Sequence, residues 1–505
     1  MKYLVGVDEG TTGCKACVFD EGGNLIASAS REYPSYYPHP GWVEQDIDEI
    51  RDACFDSIRE AIEKSGLARE DIVGISHSNQ GITAVLLDKD EKPVRDKTIG
   101  WQDLRYVEDI DRLKAEVDLQ EYWDISGMEY GTYNIPVFKW LQENEPENWA
   151  RVRHICSHQD YFLRQYGADD YYIDEGCTNF LSMARMEDCE WDQRLLDVYN
   201  VDMSVLPKIV HTPGVVVGHV PADVANRTGL SEGCAVCMGN LDANSSAIGT
   251  GATEAGTQVL VMGTAGVSLL VSDKMTKDPN HRITVRTNPG MPGTWQYYIM
   301  TNTGASSFRW FRDELCSTEV AVSKIMGVDP YDIITRTAST SVPGANGVIA
   351  LTGFQGSHTR KKNENARGTF FGINLGTKKA DIAEAILEGI CYEMRDIIAM
   401  NEELAGEIKH IRLCGGVARS EMWCQMFADI LKKPIELTEV TELGCLGAAI
   451  CAGVGAGLYK DTVEGISKCV RIAKTYTPNP ENAAKYDKVF EEWTRLYDIV
   501  NEQVY

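Results

Sequence analysis

The chain has 505 residues, of which 43% are hydrophobic and 25% charged, a composition typical of a soluble globular protein with two or more cores. Its formal net charge of −26 argues against a nucleic-acid partner, because such a partner requires a basic protein face. Neither a charged-then-apolar leader nor a run of about 18 apolar residues is present, so we expect a cytoplasmic protein without a membrane partner.

The fifteen cysteines form an odd number spread over the whole chain, which fits free thiols in a reducing compartment. Two CxxC pairs, Cys14/Cys17 and Cys234/Cys237, could together form a zinc site. Both pairs lie in strand-like sequence, where residues three positions apart point to opposite faces of a sheet. The pattern therefore favours small buried apolar side chains over a metal site.

Residues 3–20 predict a strand, a tight polar turn and a second strand. The turn carries two glycines and two hydroxyls, at Gly10, Thr11, Thr12 and Gly13. The glycines permit a sharp reversal, and the backbone N–H groups and hydroxyls at the tip could bind a phosphate chain. Asp8, at the strand end, could hold a metal-bound water beside that phosphate. An ordinary glycine-containing hairpin is the alternative.

The next segments predict an amphipathic helix over residues 47–65 and strands over residues 72–75 and 83–87. A polar loop is expected between these strands, over residues 76–81, and such loops at strand ends are where ligands usually bind. Trp101 and Asp103 follow, and they could stack on and hydrogen-bond a polyol. The alternative for Trp101 is a core position.

Residues 105–192 are mainly helical in pattern, and a short strand follows at residues 234–236. This strand leads through a glycine turn to Asp242 and a helix of small residues. A carboxylate close to a helix N-terminus is kept ionised by the helix dipole and could accept a proton from a substrate hydroxyl. A helix-capping aspartate is the alternative.

Residues 257–270 repeat the opening pattern of strand, Gly-Thr-x-Gly turn and strand, with Gly263 and Thr264 in the turn. Two such hairpins, about 250 residues apart, suggest two similar halves that face one nucleotide. We place the boundary at residues 252/253. The first domain, residues 1–252, would bind the sugar and carry Asp242, and the second, residues 253–505, would bind the nucleotide.

The second half predicts helices over residues 379–404, 422–431, 444–457 and 479–505. Gly304 precedes a helix and permits close backbone approach. Gly415 and Gly416 follow a strand and leave room for an adenine ring against their backbone, and Ser420 could bond the base or the ribose.

In these motifs the chain resembles the FGGY carbohydrate kinases, a family that includes xylulokinases, glycerol kinases and ribulokinases. The matching motifs span the whole chain and lie at residues 7–12, 101–105, 242, 263–264, 371–376, 387–389 and 414–429. The resemblance implies an α/β protein of the actin-like ATPase fold, with two ribonuclease-H-like domains and an interdomain cleft. It also implies a possible homodimer, ATP and Mg²⁺.

The resemblance implies roles for individual residues. Asp242 matches the catalytic base and a substrate-binding position, and Asp8, with Asp242, matches the Mg²⁺ site. The expected nucleotide-binding residues are Gly10, Thr11, Thr12, Lys15, Gly263, Thr264, Gly304, Phe308, Gly415, Gly416 and Ser420. The expected sugar contacts are Gln80, Trp101 and Asp103.

The sequence departs from the family most clearly at the sugar. Glycerol kinases have an Arg-Glu pair where this chain has Gly81 and Ile82, and xylulokinases have Met-His there. These departures concern the substrate and not the reaction. The expected reaction is ATP-dependent phosphorylation of a hydroxyl on a small sugar or polyol, with a xylulose-like ketose as the first candidate. Glycerol, a four-carbon polyol and a quorum-sensing dione remain alternatives. A non-catalytic, sugar-responsive regulator on the same fold is the alternative of another class.

Overall fold

The computed structural model describes residues 1–81, 83–131 and 136–505, which form two compact units. The first unit comprises Met1–Thr253, Val285–Gln296 and Glu442–Arg471, and the second comprises Glu254–Thr284, Tyr297–Thr441 and Ile472–Tyr505. Two later segments of the chain thus return to the first unit. The division of function at residues 252/253 stays a prediction.

The strands are β1 (Tyr3–Glu9), β2 (Gly13–Asp20), β3 (Leu25–Glu32), β4 (Glu44–Gln45), β5 (Ile72–Asn79), β6 (Ala84–Leu87), β7 (Thr98–Ile99), β8 (His154–Ser157), β9 (Tyr172–Asp174), β10 (Lys208–Val210), β11 (Val216–His219), β12 (Ala235–Leu241), β13 (Thr257–Met262), β14 (Gly266–Ser272), β15 (Thr284–Thr287), β16 (Trp295–Thr301), β17 (Ile349–Leu351), β18 (Ser357–His358), β19 (Lys362–Asn363), β20 (Thr369–Phe371), β21 (His410–Gly415), β22 (Ile435–Thr438) and β23 (Ile472–Tyr476).

The α-helices are α1 (Ile47–Ser65), α2 (Ile110–Ala115), α3 (Leu119–Ser126), α4 (Val137–Asn144), α5 (Pro146–Arg151), α6 (His158–Tyr166), α7 (Glu175–Phe180), α8 (Gln193–Tyr199), α9 (Ala222–Thr228), α10 (Asp242–Gly249), α11 (Ser306–Leu315), α12 (Ser317–Met326), α13 (Pro330–Ala338), α14 (Lys379–Ala405), α15 (Glu421–Leu431), α16 (Leu443–Gly455), α17 (Thr462–Cys469) and α18 (Pro480–Ile499). Within the described residues, no helix combines the length and the apolar character needed to cross a bilayer.

The main sheet of the first unit has the strand order β11-β12-β5-β1-β2-β3. β1 pairs antiparallel with β2 and parallel with β5, and β12 is also parallel to β5. The carboxyl ends of β1, β5 and β12 therefore lie along one edge of the sheet. Ligands of α/β proteins bind at such an edge, so the residues that follow these strands define the candidate site.

The sheet of the second unit repeats this plan. Its strands include the run β16-β14-β13-β21-β22-β23, in which β13 pairs antiparallel with β14 and parallel with β21. The β13–β14 hairpin thus occupies the place that β1–β2 occupies in the first sheet. This topology confirms the prediction of two similar halves.

Helix α1 begins and ends at the predicted residues. Asp46 caps it by accepting hydrogen bonds from the N–H groups of Asp48 and Glu49, and the chain leaves the helix at Gly66 in the left-handed conformation. Its apolar face, which includes Ile50, is buried in the core of the first unit. The spacing of the apolar residues and both capping signals are local, so the sequence alone predicts this helix.

Two predictions of irregular structure are wrong, because the segments predicted as a polar loop and as a glycine turn lie in strands. β5 continues through residues 76–79, where the loop was expected, and Gly239 lies inside β12. The polar side chains of β5 find partners within the fold: Ser78 donates to Asp8, and His77 pairs with the Tyr166 hydroxyl. Gly239 is required by packing, because a Cβ there would overlap the carbonyl oxygen of His77.

The chain reverses between β1 and β2 as predicted, although neither Gly10 nor Gly13 adopts a positive φ. Gly13 is instead required by the neighbouring strand, since a Cβ there would lie 2.8 Å from the Arg31 carbonyl oxygen. Helix α16, which is rich in small residues, packs closely against β1. A Cβ on Gly6 of β1 would overlap the backbone of Cys445 in this helix.

Candidate active site

Asp8 stands at the carboxyl end of β1, between two strands that supply its neighbours. It is directly opposite Lys15 in β2 and Ser78 in β5, and the Ser78 hydroxyl donates to Asp8 Oδ1 at 2.8 Å. Burial, with smaller contributions from the carboxylates of Glu9 and Glu442, raises the pKa of Asp8 to about 6. The edge of this sheet therefore concentrates negative charge.

Asp242 begins helix α10 immediately after β12, the strand beside β5. Its Oδ1 accepts a hydrogen bond of 2.6 Å from the N–H of Ala243. Burial, followed by the negative charge of Asp8, raises the pKa of Asp242 to about 7. Burial and the repulsion by Asp8 thus oppose the ionisation that the sequence predicts for this group. The capping alternative is wrong, since Leu241 occupies the N-cap position.

A buried arginine close to Asp242 was not predicted from the sequence. Arg286 is 1% exposed, and its guanidinium donates to Asn244 Oδ1 at 3.3 Å and to Gln296 Oε1 at 2.8 Å. The guanidinium also lies 4.2 Å from the ring centre of Phe180. Its charge lowers the pKa of Asp242, against the larger effects of burial and Asp8.

Lys15 and the small residues of α16 complete the surroundings of Asp8. Lys15 Nζ forms an ion pair of 2.7 Å with Glu442, the residue that precedes α16. A Cβ on Gly444 would lie 2.5 Å from Asp8 Cγ, so only glycine allows the helix to approach the carboxylate this closely. Sequence reasoning missed Glu442 and Gly444, which lie far along the chain from Asp8.

Trp101 lies beside the first predicted phosphate turn. Its indole Nε1 donates to the hydroxyl of Thr11 at 3.0 Å, and its backbone N–H donates to the Thr83 hydroxyl at 3.2 Å. The ring is half-buried rather than a core residue. At the turn itself, Gly10 N–H donates to the Gly13 carbonyl at 3.0 Å, and Thr12 is exposed. The structure thus brings Trp101 and Thr11 together.

Gln80 follows β5, between the ends of β1 and β12. It is 1% exposed, and its side-chain amide donates to Glu9 Oε1 at 2.7 Å and to Gln45 Oε1 at 3.1 Å. Its carbonyl atom Oε1 is buried without a partner among the described residues. Ile82, one of the two positions at which this chain departs from the glycerol kinases, lies outside the described residues.

Asp103 is completely buried in an ion pair. Its Oδ1 accepts from Arg105 Nε at 2.8 Å, and its Oδ2 accepts from the Val43 N–H at 2.6 Å. The Arg105 guanidinium also stacks 3.9 Å from the ring centre of Trp42. Asp103 thus fixes the segment that carries Trp101. Direct contact between Asp103 and a sugar stays a prediction.

The second unit contains a cavity of about 380 Å³. It is lined by residues of the β13–β14 turn, of helices α11 and α13, of the loop before α13, and of the segment that leads into α15: Met262, Gly263, Thr264, Ala305, Ser306, Phe308, Arg309, Arg312, Asp329, Tyr331, Asp332, Thr335, Gly416, Val417, Arg419, Ser420 and Trp423. Five of the residues predicted to bind nucleotide are among them. The structure therefore gathers residues that are widely separated in the sequence around one space.

The two glycines of the diglycine turn at this cavity have different structural roles. A Cβ on Gly416 would meet nothing within 4 Å, so its backbone faces open space. Gly415 has a φ of +90°, and a Cβ there would overlap the carbonyl oxygen of Met262. Gly304 acts like Gly415, because its Cβ would lie 2.6 Å from the backbone of Ala265. Gly304 and Gly415 thus each allow two parts of the backbone to approach closely, whereas Gly416 lines the cavity.

Side chains around the cavity are held by local contacts. Ser420 caps α15, and its hydroxyl accepts from the Trp423 N–H at 3.4 Å. Phe308 is buried and stacks on Tyr331 with ring centres 5.8 Å apart. Arg309 donates to the Thr264 hydroxyl at 3.1 Å. Aromatic and arginine side chains thus line this cavity together with Asp329 and Asp332.

Comparison with known proteins identifies the family. The FGGY family of carbohydrate kinases, N-terminal domain, matches residues 3–249, and the C-terminal domain of the same family matches residues 258–456. The chain belongs to the FGGY family of carbohydrate kinases. It has the actin-like ATPase fold of that family and is a carbohydrate kinase, as the sequence predicted.

Relatives of this FGGY kinase include enzymes with different named substrates. It is 26% identical to a gluconokinase of Bacillus subtilis over 99% of this chain and 96% of the relative. It is 29% identical to a xylulose kinase of Staphylococcus epidermidis over 98% of this chain and 96% of the relative. An autoinducer-2 kinase of an Enterobacter strain is 27% identical over 98% of this chain and 94% of the relative.

Solved structures show the same fold. A ligand-bound xylulose kinase from Lactobacillus acidophilus superposes with a TM-score of 0.89 at 25% identity, covering 100% of this chain and 99% of the other. A glycerol kinase from Plasmodium falciparum with ADP superposes with a TM-score of 0.87 at 20% identity, covering 100% and 99% of the two chains.

The cysteines of this FGGY kinase do not contribute to the candidate site. All of them are buried thiols, including both CxxC pairs. In the part of the chain that the structure describes, no group of three or more His, Cys, Asp or Glu side chains is arranged to hold a metal ion. Asp8 and Asp242 are a pair of carboxylates, so they fall outside that pattern.

Proposed function

We propose that this FGGY kinase transfers the γ-phosphoryl group of ATP to a hydroxyl of a small sugar or polyol, with a xylulose-like ketose as the first candidate. The observation that carries the proposal is the placement of Asp8 and Asp242 at the ends of β1 and β12. These carboxylates interact closely enough for Asp8 to raise the pKa of Asp242.

Asp242 acts as the general base. Its pKa of about 7 lies near the operating pH, where a base is ionised in a large fraction of molecules and still accepts a proton readily. The acceptor hydroxyl loses its proton to Asp242 as its oxygen attacks phosphorus. Arg286 and the Ala243 N–H favour the ionised form of this carboxylate.

Asp8 and Asp242 fit a divalent cation. Burial and neighbouring carboxylates disfavour the ionised form of Asp8, and a cation bound there would relieve this repulsion. Carboxylate oxygens are also the ligands that Mg²⁺ prefers. Bound Mg²⁺ would neutralise the charge of the transferred phosphoryl group.

The nucleotide-binding residues come from the second unit. The open backbone of Gly416 allows a flat base to approach, and the stacked rings of Phe308 and Tyr331, which line the same cavity, offer an apolar surface. The Gly263-Thr264 turn, which contacts Arg309, offers N–H groups and a cation for phosphates. The family resemblance adds Thr11 and Lys15 as further candidates for contact with phosphate.

The xylulose-like ketose is supported by the relatives of this chain, which include xylulose kinases. Gly81 argues against glycerol, because it offers no side chain for the glycerol clamp that the family resemblance describes. Gluconate, glycerol and the autoinducer-2 class are the competing acceptors. Trp101, with its ring fixed by the bond to Thr11, would stack on the carbon skeleton of any of them.

The direct test is coupled ADP release with ATP and Mg²⁺ across ketoses, aldoses, polyols and aldonates of three to seven carbons. We expect one compound to raise turnover far above the rate without an acceptor. The matched control is Asp242→Asn, which should bind ATP but transfer the phosphoryl group about 10²–10⁴-fold more slowly. ATP binding without stimulation by any compound would contradict the proposal and favour a sugar-responsive regulator.

A further inference from the structure

Glu9 is a buried carboxylate at the centre of a hydrogen-bond network next to the candidate site. It is 0% exposed. Its Oε1 accepts from the Tyr33 hydroxyl at 2.9 Å and from Gln80 Nε2 at 2.7 Å, and its Oε2 lies 3.0 Å from His158 Nδ1. The Gln80 backbone N–H also donates to the Glu9 carbonyl at 2.6 Å. Gln80 is therefore tied to Glu9 by both its backbone and its side chain.

Glu9 determines which way the amide of Gln80 points. A carboxylate accepts hydrogen bonds and donates none, so the group of Gln80 that faces it must be the NH₂. The Gln45 Oε1, at 3.1 Å, is a second acceptor for the same NH₂. Both amide hydrogens are thus engaged. The only atom of this side chain left to interact is Oε1, which is buried without a partner among the described residues.

This unpartnered oxygen belongs to a residue at the functional edge of the sheet. Gln80 directly follows β5, whose neighbours β1 and β12 end next to Gly10 and Asp242. The same network reaches the phosphate turn, because Gln45 Nε2 donates to the Thr11 carbonyl at 2.8 Å. A buried polar atom without a partner costs stability unless a ligand satisfies it.

We propose that Glu9 is a positioning residue that holds the Gln80 carbonyl oxygen toward the acceptor substrate, so that this kinase selects a substrate that donates a hydroxyl hydrogen at that point. The inference rests on the proposed function and adds the chemical class of the acceptor. A hydroxyl of a ketose or polyol satisfies this oxygen. A carboxylate, as in an aldonate, only accepts hydrogen bonds and is repelled there.

The test measures binding by titration calorimetry without ATP, so that it does not depend on transfer. The probes are D-xylulose, or the most active compound of the acceptor panel, with its single-deoxy analogues and the corresponding aldonate. For the wild-type protein we expect one deoxy analogue to bind about 10- to 100-fold more weakly than the parent sugar, and the aldonate at least as weakly.

Three variants separate positioning from a general structural effect. The deoxy penalty is the factor by which the deoxy analogue binds more weakly than the parent sugar. Gln80→Leu should weaken binding of the parent sugar by that same factor and abolish the deoxy penalty. Glu9→Gln, which lets the Gln80 amide rotate, should reduce the penalty to about threefold or less. Glu9→Asp keeps the carboxyl group but shortens its reach to Gln80, so we expect the same reduction of the penalty. This variant replaces Glu9→Gln if Glu9→Gln does not fold.

Glu388→Gln is the matched control, because it changes a buried glutamate of the second unit in the same way. It should retain the full deoxy penalty. A wild-type-like penalty in the folded Glu9 variants, or the absence of any penalised analogue in the wild-type protein, would overturn the inference and leave the kinase activity intact. The absence of binding by every acceptor would overturn the proposed function and this inference together.

Discussion

The two glycines of the diglycine turn allow one sharp test of the nucleotide pocket. Gly415 and Gly416 are adjacent, but the structure assigns the first to the backbone and the second to the cavity. Replacing each one separately should therefore affect different quantities: Gly415→Ala should reduce stability, and Gly416→Val should reduce ATP affinity.

The magnitudes follow from the local geometry. Alanine at the positive φ of Gly415 costs about 1–2 kcal/mol, and the overlap of its Cβ with the Met262 carbonyl adds about 1–3 kcal/mol. The free energy of unfolding should thus fall by about 2–5 kcal/mol. A Cβ at Gly416 meets no atom within 4 Å, so Gly416→Val should leave stability within about 0.5 kcal/mol.

The valine side chain of Gly416→Val occupies part of the cavity of about 380 Å³. We expect ATP affinity to fall about 10- to 100-fold, which corresponds to about 1.4–2.7 kcal/mol. Urea unfolding measures the free energy of unfolding, and competition with a fluorescent ATP analogue measures ATP affinity. Wild-type ATP affinity in a folded Gly416→Val protein would refute the assignment of this cavity to the nucleotide.

Three further predictions concern the base, a buried acid and the indole bond. Asp242→Asn should lower kcat by about 10²–10⁴-fold. The Kd for ATP, measured by calorimetry, should stay unchanged. A loss of ATP affinity as large as the loss of kcat would contradict the role of Asp242 as the base. Burial raises the pKa of Glu388 well above its usual range. The protonated side chain therefore contributes stability below the pKa that Glu388 has in the unfolded chain. This stability is lost as the pH rises through the pKa that Glu388 has in the folded protein. Glu388→Gln should therefore unfold at a higher temperature than the wild-type protein at pH 8 and show a smaller difference at pH 4, and equal differences at both pH values would argue against this. Trp101→Phe keeps an aromatic ring but removes the donor to Thr11, so KM for the sugar should rise about fivefold in steady-state assays, and an unchanged KM would show that the bond does not orient the ring.

The sequence predicts much of the fold because many of its signals are local. The apolar spacing and the caps of α1 lie within a few residues of the helix, and both Gly/Thr hairpins carry apolar strands on either side of a polar turn. The same local patterns, in the right order, supply the family resemblance. Local signals fail at residues 76–79, because partners such as Asp8, which satisfies Ser78, lie far away along the chain.

The site was predicted less completely than the fold for the same reason. Asp8 and Asp242 stand at strand ends, where sequence reasoning can place them. Arg286 and Glu442 belong to segments that return to the first unit only in three dimensions. The ionisation of Asp242 also depends on burial and on Asp8, and the sequence does not reveal either influence.

The role of Asp103 shows a further limit of sequence reasoning. The sequence suggests a sugar contact for Asp103, which stays a prediction, but it did not predict that the Asp103 oxygens accept hydrogen bonds from Arg105 and Val43. The ion pair joins residues only two positions apart, so an acid two residues before an arginine could have indicated it. In contrast, the engagement of Gln80 by Glu9 joins two strands and has no local signal.

In the proposed reaction, the γ-phosphoryl group passes from ATP to a sugar hydroxyl, with Asp242 as the base. Phosphorus NMR of the protein with ATP, Mg²⁺ and the best acceptor of the panel tests it most directly. We predict one phosphomonoester formed for each ADP, and formation of the ester about 10²–10⁴-fold more slowly with Asp242→Asn. Inorganic phosphate formed in place of the ester, or an ester formed at the wild-type rate by Asp242→Asn, would contradict this mechanism.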